Sequence, residues 1–445
     1  MKKIFSLFCL LALFSVLAST LFAQGDPKET EVWTPVPPVV TPGTNQAPPS
    51  DAIVLFDGKS LDGWVAEKGG PALWDLHNGE LTVKPHTGNI ATSRAFADCQ
   101  LHIEWRTPKV VVGESQGRGN SGVFLQGRYE VQVMDSFNNP TYVNGQAASI
   151  YKQHAPLVNA SRGPGEWQTY DIIFTAPRFN NDGSVRTPAY VTVLHNGVLV
   201  QNHVEIKGST TYIGQPKYEK HAFKQPLVLQ EHGNPVSFRN IWIRELGARQ
   251  LLNGTDTKGW YTFLDKLGKN TDPEGIFRVE NGVLHIEGKQ FGYLATEASF
   301  SNYYLKVVFK WGEKRYPPRE NAKRDSGILY HFAASEPDMV WPKSIEFQVQ
   351  EGDCGDYWCV GTNVDSPNES KIEWGMKHIL RSEDFEKPRG EWNTLELICN
   401  GNQSEHYVNG HLVNSGTNES VSAGRILLQS EGAEVTYKSV EIIPY

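Results

Sequence analysis

The chain has 445 residues, 42 Lys and Arg against 50 Asp and Glu, and a net charge of −8. That length allows two or three domains with sizeable cores. Both signs are spread along it and no basic run tracks phosphates, so no nucleic-acid partner is expected.

Residues 1–23 begin with Lys2 and Lys3, continue as an apolar run and close on small residues at Ala23. This is the pattern of a secretory signal peptide, with cleavage expected after Ala23. The run is short for a stable span and no other long apolar stretch follows, so no membrane span is expected. Cys9 lies inside the run and not at its end, which does not suit a lipid anchor. Residues 24–50 are proline-rich and read as an extended linker.

From there the chain repeats itself. "FDGKSLDGW" at 56–64 returns as "LNGTDTKGW" at 252–260, and "NSGVFLQ" at 120 as "DSGILYH" at 325. "GEWQTYDII" at 165 returns as "GEWNTLELI" at 390, and "LVLQEHGNPVSFRNIWI" at 227 as "ILLQSEGAEVTYKSVEI" at 426. The period of roughly 200 residues is that of a duplicated domain. Domains are expected over 51–247 and 248–445. Both hold short alternating segments, such as "YVTVLHNG" in the first and "SEHYVNGHLV" in the second, with Asn-Gly turns of the hairpin kind. The fold expected is all-β, two tandem antiparallel β-sandwich domains of jelly-roll type. Trp64, Trp167, Trp260 and Trp392 are expected in sheet cores; sugar stacking is the alternative for an open ring.

"GRYEVQVMDSF" at 127–137 asks for chemistry. Glu130 and Gln132 share one face of a strand, Val131 and Val133 the other. Asp135 is out of phase, and a bulge near Met134 would return it to the Glu130 face. "KSIEFQVQEGD" at 343–353 repeats the pattern with Glu346, Gln348 and Glu351. Two polar clefts are expected, one on each triplet. The plainer alternatives are a solvated outer face for Glu130 and a turn cap for Asp135.

Four cysteines follow residue 23. Cys354 and Cys359 are close enough in "DCGDYWC" to form a bridge, and Cys399 reads as a buried strand residue. Soft ligands are too few for zinc.

The spacing Glu-x-Gln-x-x-Asp is similar to the Glu-x-Asp-x-x-Glu strand of laminarinase-type glycosidases, although its middle residue is Gln. A conventional retaining glucanase, with one carboxylate as nucleophile and one as acid, is therefore one alternative. "LFDGKSLDGW", "NSGVFL", "YEVQVMD", "GEWQTYDI" and "LQEHGNPVSFRNIWIREL" together resemble the 3-keto-disaccharide hydrolase domain, a bacterial lectin/glucanase-like sandwich. The resemblance covers nearly all of 51–247 and, more loosely, 250–445. It implies a bacterial enzyme that cleaves glycosides already oxidised at C3, and residues 1–23 add the expectation that it is exported, periplasmic or extracellular. The other alternative is a carbohydrate-binding protein without catalysis.

A ketone at C3 acidifies the C2 proton, and the resulting enolate can expel the C1 substituent. Such a site needs a base near C2, donors near the ketone oxygen and an acid near the leaving oxygen. Glu130 is the candidate base or acid, with Asp135 beside it. His232 and Arg239 are the candidates to stabilise the enolate or protonate the leaving group. A turn contact for His232 and a structural ion pair for Arg239 are their alternatives. Gln132, Asn120 and Tyr151 are candidate sugar contacts in the first half; Glu346, Gln348 and Glu351 are those of the second. The sequence makes no cofactor certain; a divalent metal, Ca or Mg, could hold the enolate or sit in "QEGDCGD". In the second half Glu431 stands in place of His232 and Lys438 in place of Arg239.

Overall fold

A computed structural model describes residues 27–31, 37, 39–44 and 47–445. The signal-peptide segment, Cys9 included, and parts of the proline-rich linker lie outside the described residues. No helix among the described residues is long and apolar enough to cross a membrane.

The chain from Ala52 to Tyr445 is one compact unit of antiparallel sheets paired as two sandwiches. In the first, a sheet of five strands runs Trp64–Ala66, Ile90–Phe96, Gln225–Leu229, Ser121–Leu125, Tyr129–Val133. It faces a sheet of eight strands built around Cys99–Arg106 and Ser237–Glu245. Val123, Val131, Leu101, Ile103 and Phe238 from the two sheets form the core between them, each fully buried. Alternation along Tyr129–Val133 sends Tyr129, Val131 and Val133 into that core. Glu130 and Gln132 are thereby turned to the opposite face.

The second sandwich repeats the order in the strands Trp260–Leu264, Gly292–Thr296, Arg425–Ser430, Gly327–Phe332 and Ser344–Gln348. It then continues with Tyr357–Val360, Met376–Ile379 and Ser370–Glu373. In the first sandwich that edge is closed by a loop: the Gln132 amide donates to the Ser149 carbonyl at 3.0 Å, and the Ala148 amide to the Gln132 carbonyl at 2.9 Å.

A joint of rings and charges ties the sandwiches together. Phe223 stacks on Tyr304 at 4.8 Å. The Arg178 guanidinium lies 4.7 Å from the Phe223 ring and 4.6 Å from that of Tyr445. Half-buried Lys224 bridges Glu245 at 2.7 Å and Glu441 at 3.1 Å.

Three expectations are corrected. Tyr129–Val133 pairs with Ser121–Leu125 without a register shift and ends before Met134, so no bulge returns Asp135 to the cleft. Cys354 and Cys359 are free and buried, as are Cys99 and Cys399. Trp64 and Trp260 are core residues, but Trp167 and Trp392 are only partly buried. Each carries a cation over its ring: Arg239 at 4.0 Å on Trp167, and Lys310 at 4.8 Å and Lys438 at 5.6 Å on Trp392.

Candidate active site

The polar face of Tyr129–Val133 floors a cavity of about 570 Å³. Glu130, Gln132, Asn120, Tyr151 and His232 all line it. Glu130 is its one carboxylate among the described residues. The side chain is 4 % exposed. Burial alone pushes its carboxyl up to about 8, because the charged form loses its hydration. With its amide nitrogen turned toward Glu130, Gln132 donates to Oε1 at 2.9 Å and to the Ser121 carbonyl at 3.0 Å. The Glu130 amide donates to Thr210 Oγ1 at 3.0 Å, which fixes the backbone beneath the carboxylate.

Asn120 is held from both ends. Its amide donates to Asn234 Oδ1 at 2.7 Å, and its Nδ2 to the Gln116 carbonyl at 2.6 Å. The Tyr151 hydroxyl is 2.6 Å from that of Tyr142. Burial raises both phenols, so each keeps its proton at neutral pH. Lys152 Nζ lies 4.2 Å from the Tyr212 ring centre and donates to the Tyr212 carbonyl at 2.6 Å. No carboxylate pairs with it among the described residues.

Asp135 and Arg239 are not in this cavity. Arg118 Nε donates to Asp135 Oδ2 at 2.7 Å, and the Phe137 amide donates to Oδ1 at 3.2 Å. The out-of-phase carboxylate ties the loop after the strand to the segment before "NSG". Glu351 is its counterpart in the second sandwich, 3.0 Å from Arg324 and absent from the cleft lining. Arg239 belongs to the eight-stranded sheet, directly after core residue Phe238. Alternation turns it outward, where it meets Glu104 at 2.6 Å and the Trp167 ring. Lys438 repeats that clamp on Trp392, so the paired cation and "GEW" tryptophan are an outer-face device.

Glu346 and Gln348 line a second cavity of about 390 Å³. Burial and the neighbouring charges of Glu431 and Asp325 hold the Glu346 carboxyl well above the usual carboxylate range. Arg319, Asp325, Trp341, Trp358 and Trp374 join them. His331, in "DSGILYH", is fully buried in the sheet interior and does not line this cavity. Sequence reasoning did not single out Lys152, Tyr142 or Gln116 in the first cleft, nor Asp325 or Trp374 in the second. Two signals were there: Lys152 follows Tyr151 directly, and Asp325 aligns with Asn120. Among the described residues no cluster of three or more His, Cys, Asp or Glu could hold a metal ion.

A family of 3-keto-alpha-glucoside-1,2-lyase-like domains matches residues 51–244 and again residues 247–443. The solved structure of a candidate glycosyl hydrolase from Parabacteroides distasonis is 57% identical, over 51% of this chain and 98% of that one, with a TM-score of 0.49. A second candidate glycosyl hydrolase from the same organism is 21% identical, over 44% of this chain and 94% of that one, with a TM-score of 0.33. No curated protein matches the chain.

Proposed function

The chain belongs to the 3-keto-alpha-glucoside-1,2-lyase-like domain family, and from that premise we propose that its first sandwich cleaves 3-keto-glucosides by elimination across C1 and C2. The observation that carries this is Glu130: one buried carboxylate, facing a sugar-sized cavity, with its affinity for a proton raised. A desolvated carboxylate is a stronger base than one in water, and the C2 hydrogen beside a ketone is acidic enough for it.

Glu130 takes the C2 proton, and the C2–H electron pair moves to form the enolate, with charge on the C3 oxygen. Lys152 is the cation of the cleft that is free of a carboxylate, and it supports that charge. The enolate collapses to the ketone, C1=C2 forms, and the C1–O bond breaks. The departing oxygen takes a proton from the Tyr151–Tyr142 hydroxyl pair or from His232. Gln132 and Asn120 orient the ring. Water adding across C1=C2 converts the elimination to net hydrolysis.

A retaining glucanase is disfavoured because its second carboxylate is missing: Asp135 is engaged with Arg118. The test is a matched pair, a glucoside and its 3-keto derivative. Release of aglycone from the keto compound alone, with deuterium gained at C2 in heavy water beyond spontaneous exchange, is the expected result. Cleavage of the parent glucoside with C2 untouched would reverse the reading. We place the reaction outside the cytoplasm, on the strength of residues 1–23; a mature chain beginning at Gln24 by mass spectrometry is the check.

A further inference from the structure

The three strands that extend the second sandwich bring a row of rings to its cleft. His378 stacks on Trp358 at 4.0 Å, and Trp358 on Trp374 at 5.4 Å with planes 8° apart. Trp374 sits at a hairpin tip with φ of 48° and is 82% exposed. A ring so placed adds little to any core. Its open face suits the C–H surface of a pyranose.

The charges of the same cavity do not balance. Asp353 is met by Lys323 and Arg381. Asp356 is met by His378 and Arg381, and Glu373 by His378 and Lys371. That leaves Asp325, Glu346 and Glu431 with one guanidinium, Arg319, which is 2.6 Å from Asp325 and also paired with Glu431. Asp325 Oδ2 takes a further bond from Gln350 at 2.7 Å. Its Oδ1 has no partner among the described residues, on a side chain only 3 % exposed that lines the cavity. Burial and the charge of Glu431 hold Asp325 and Glu346 well above the usual carboxylate range. The site therefore asks for a cation, and no metal-holding cluster is present among the described residues.

We propose that the second cleft binds an oligosaccharide with free amino groups, one hexosamine unit stacking on the open face of Trp374 and the ammonium of another pairing with Asp325, Glu346 and Glu431. An ammonium offers three donors and a full charge to three acceptors. A neutral hydroxyl would bring no positive charge to Asp325, Glu346 and Glu431. As the ammonium enters, protons leave Asp325 and Glu346. This assignment concerns the second cleft alone and stands whether or not the first performs the 3-keto-glucoside reaction.

Calorimetry with the full chain at about neutral pH tests it, using four probes: a glucosamine oligomer, its fully N-acetylated form, a cello-oligomer of equal length, and spermine. Binding of the free-amine oligomer alone, with an enthalpy that varies with buffer because protons are released, is the expected result. Trp374→Ala should weaken it about tenfold and leave turnover in the first cleft unchanged. Asp325→Asn should weaken it by at least about tenfold, with circular dichroism unaltered. Equal binding of the acetylated or cello-oligomer overturns the ammonium pairing. Equal binding of spermine overturns the sugar platform, and no binding by any probe overturns the site.

Discussion

Glu130 lies across the ladder over Gly122: a Cβ built there would stand 2.6 Å from Glu130 Oε1. The same holds in the second sandwich, where a Cβ on Gly327 would collide with Glu346. The glycine of the "NSG" and "DSG" motifs is thus the space in which the buried carboxylate rests. Gly122→Ala leaves the backbone in an ordinary strand conformation but displaces the carboxylate. We expect turnover of a 3-keto-glucoside to fall at least about tenfold, with the sheet intact by circular dichroism.

With its carboxyl pushed up to about 8, Glu130 is in base form only about one time in ten at pH 7. Turnover should rise about tenfold per pH unit and level off above about 8. Glu130→Gln should abolish that ascending limb and slow the reaction by at least about a hundredfold. A rate that falls across this range would assign Glu130 as the acid instead.

The same shift has a stability consequence of defined sign. The folded pKa lies above the ordinary 4.5, so the fold favours the protonated acid. This contribution is fully present below about 4.5 and is lost as pH rises through about 8. Glu130→Gln should therefore raise the melting temperature at pH 9 and change it little at pH 4.

Asp135 is a structural charge. Its side chain is 2% exposed and that of Arg118 14%, so removing one partner strands the other. Asp135→Ala should cost about 3 kcal/mol in denaturant unfolding. Arg118→Ala combined with Asp135→Ala should cost less than the two singles added together.

Arg239 and Lys152 offer a contrast. Arg239→Lys keeps a cation over Trp167 on the outer face, and turnover should stay within about twofold. Lys152→Met removes the cleft cation and should lower kcat at least about tenfold while KM changes less. Equal loss in both variants would move the reacting centre out of the cleft.

The sandwich pair was legible because its signals are local: period-two alternation, Asn-Gly turns and a motif order that occurs twice. Glu130 and Gln132 could be placed on one face by the same rule. Asp135 could not, because its phase was repaired with an imagined bulge when the chain simply leaves the strand after Val133. Arg239 misled for a related reason. A motif recurring in both halves marked a real constraint, but that constraint is the grip of a cation on Trp167 across the outer sheet. Lys152 and Trp374 depend on how loops fold over a sheet edge, and no periodicity reports that.

The joint at Phe223 and Lys224 changes what a domain boundary means in this chain. Tyr304 and Ile443, from the second sandwich, are counted in the hydrophobic core of the first. Cutting the chain between the repeats would wet those faces and leave Lys224 without Glu441. The two repeats share one stretch of hydrophobic core at this joint. Heating should melt both together, as a single transition by calorimetry.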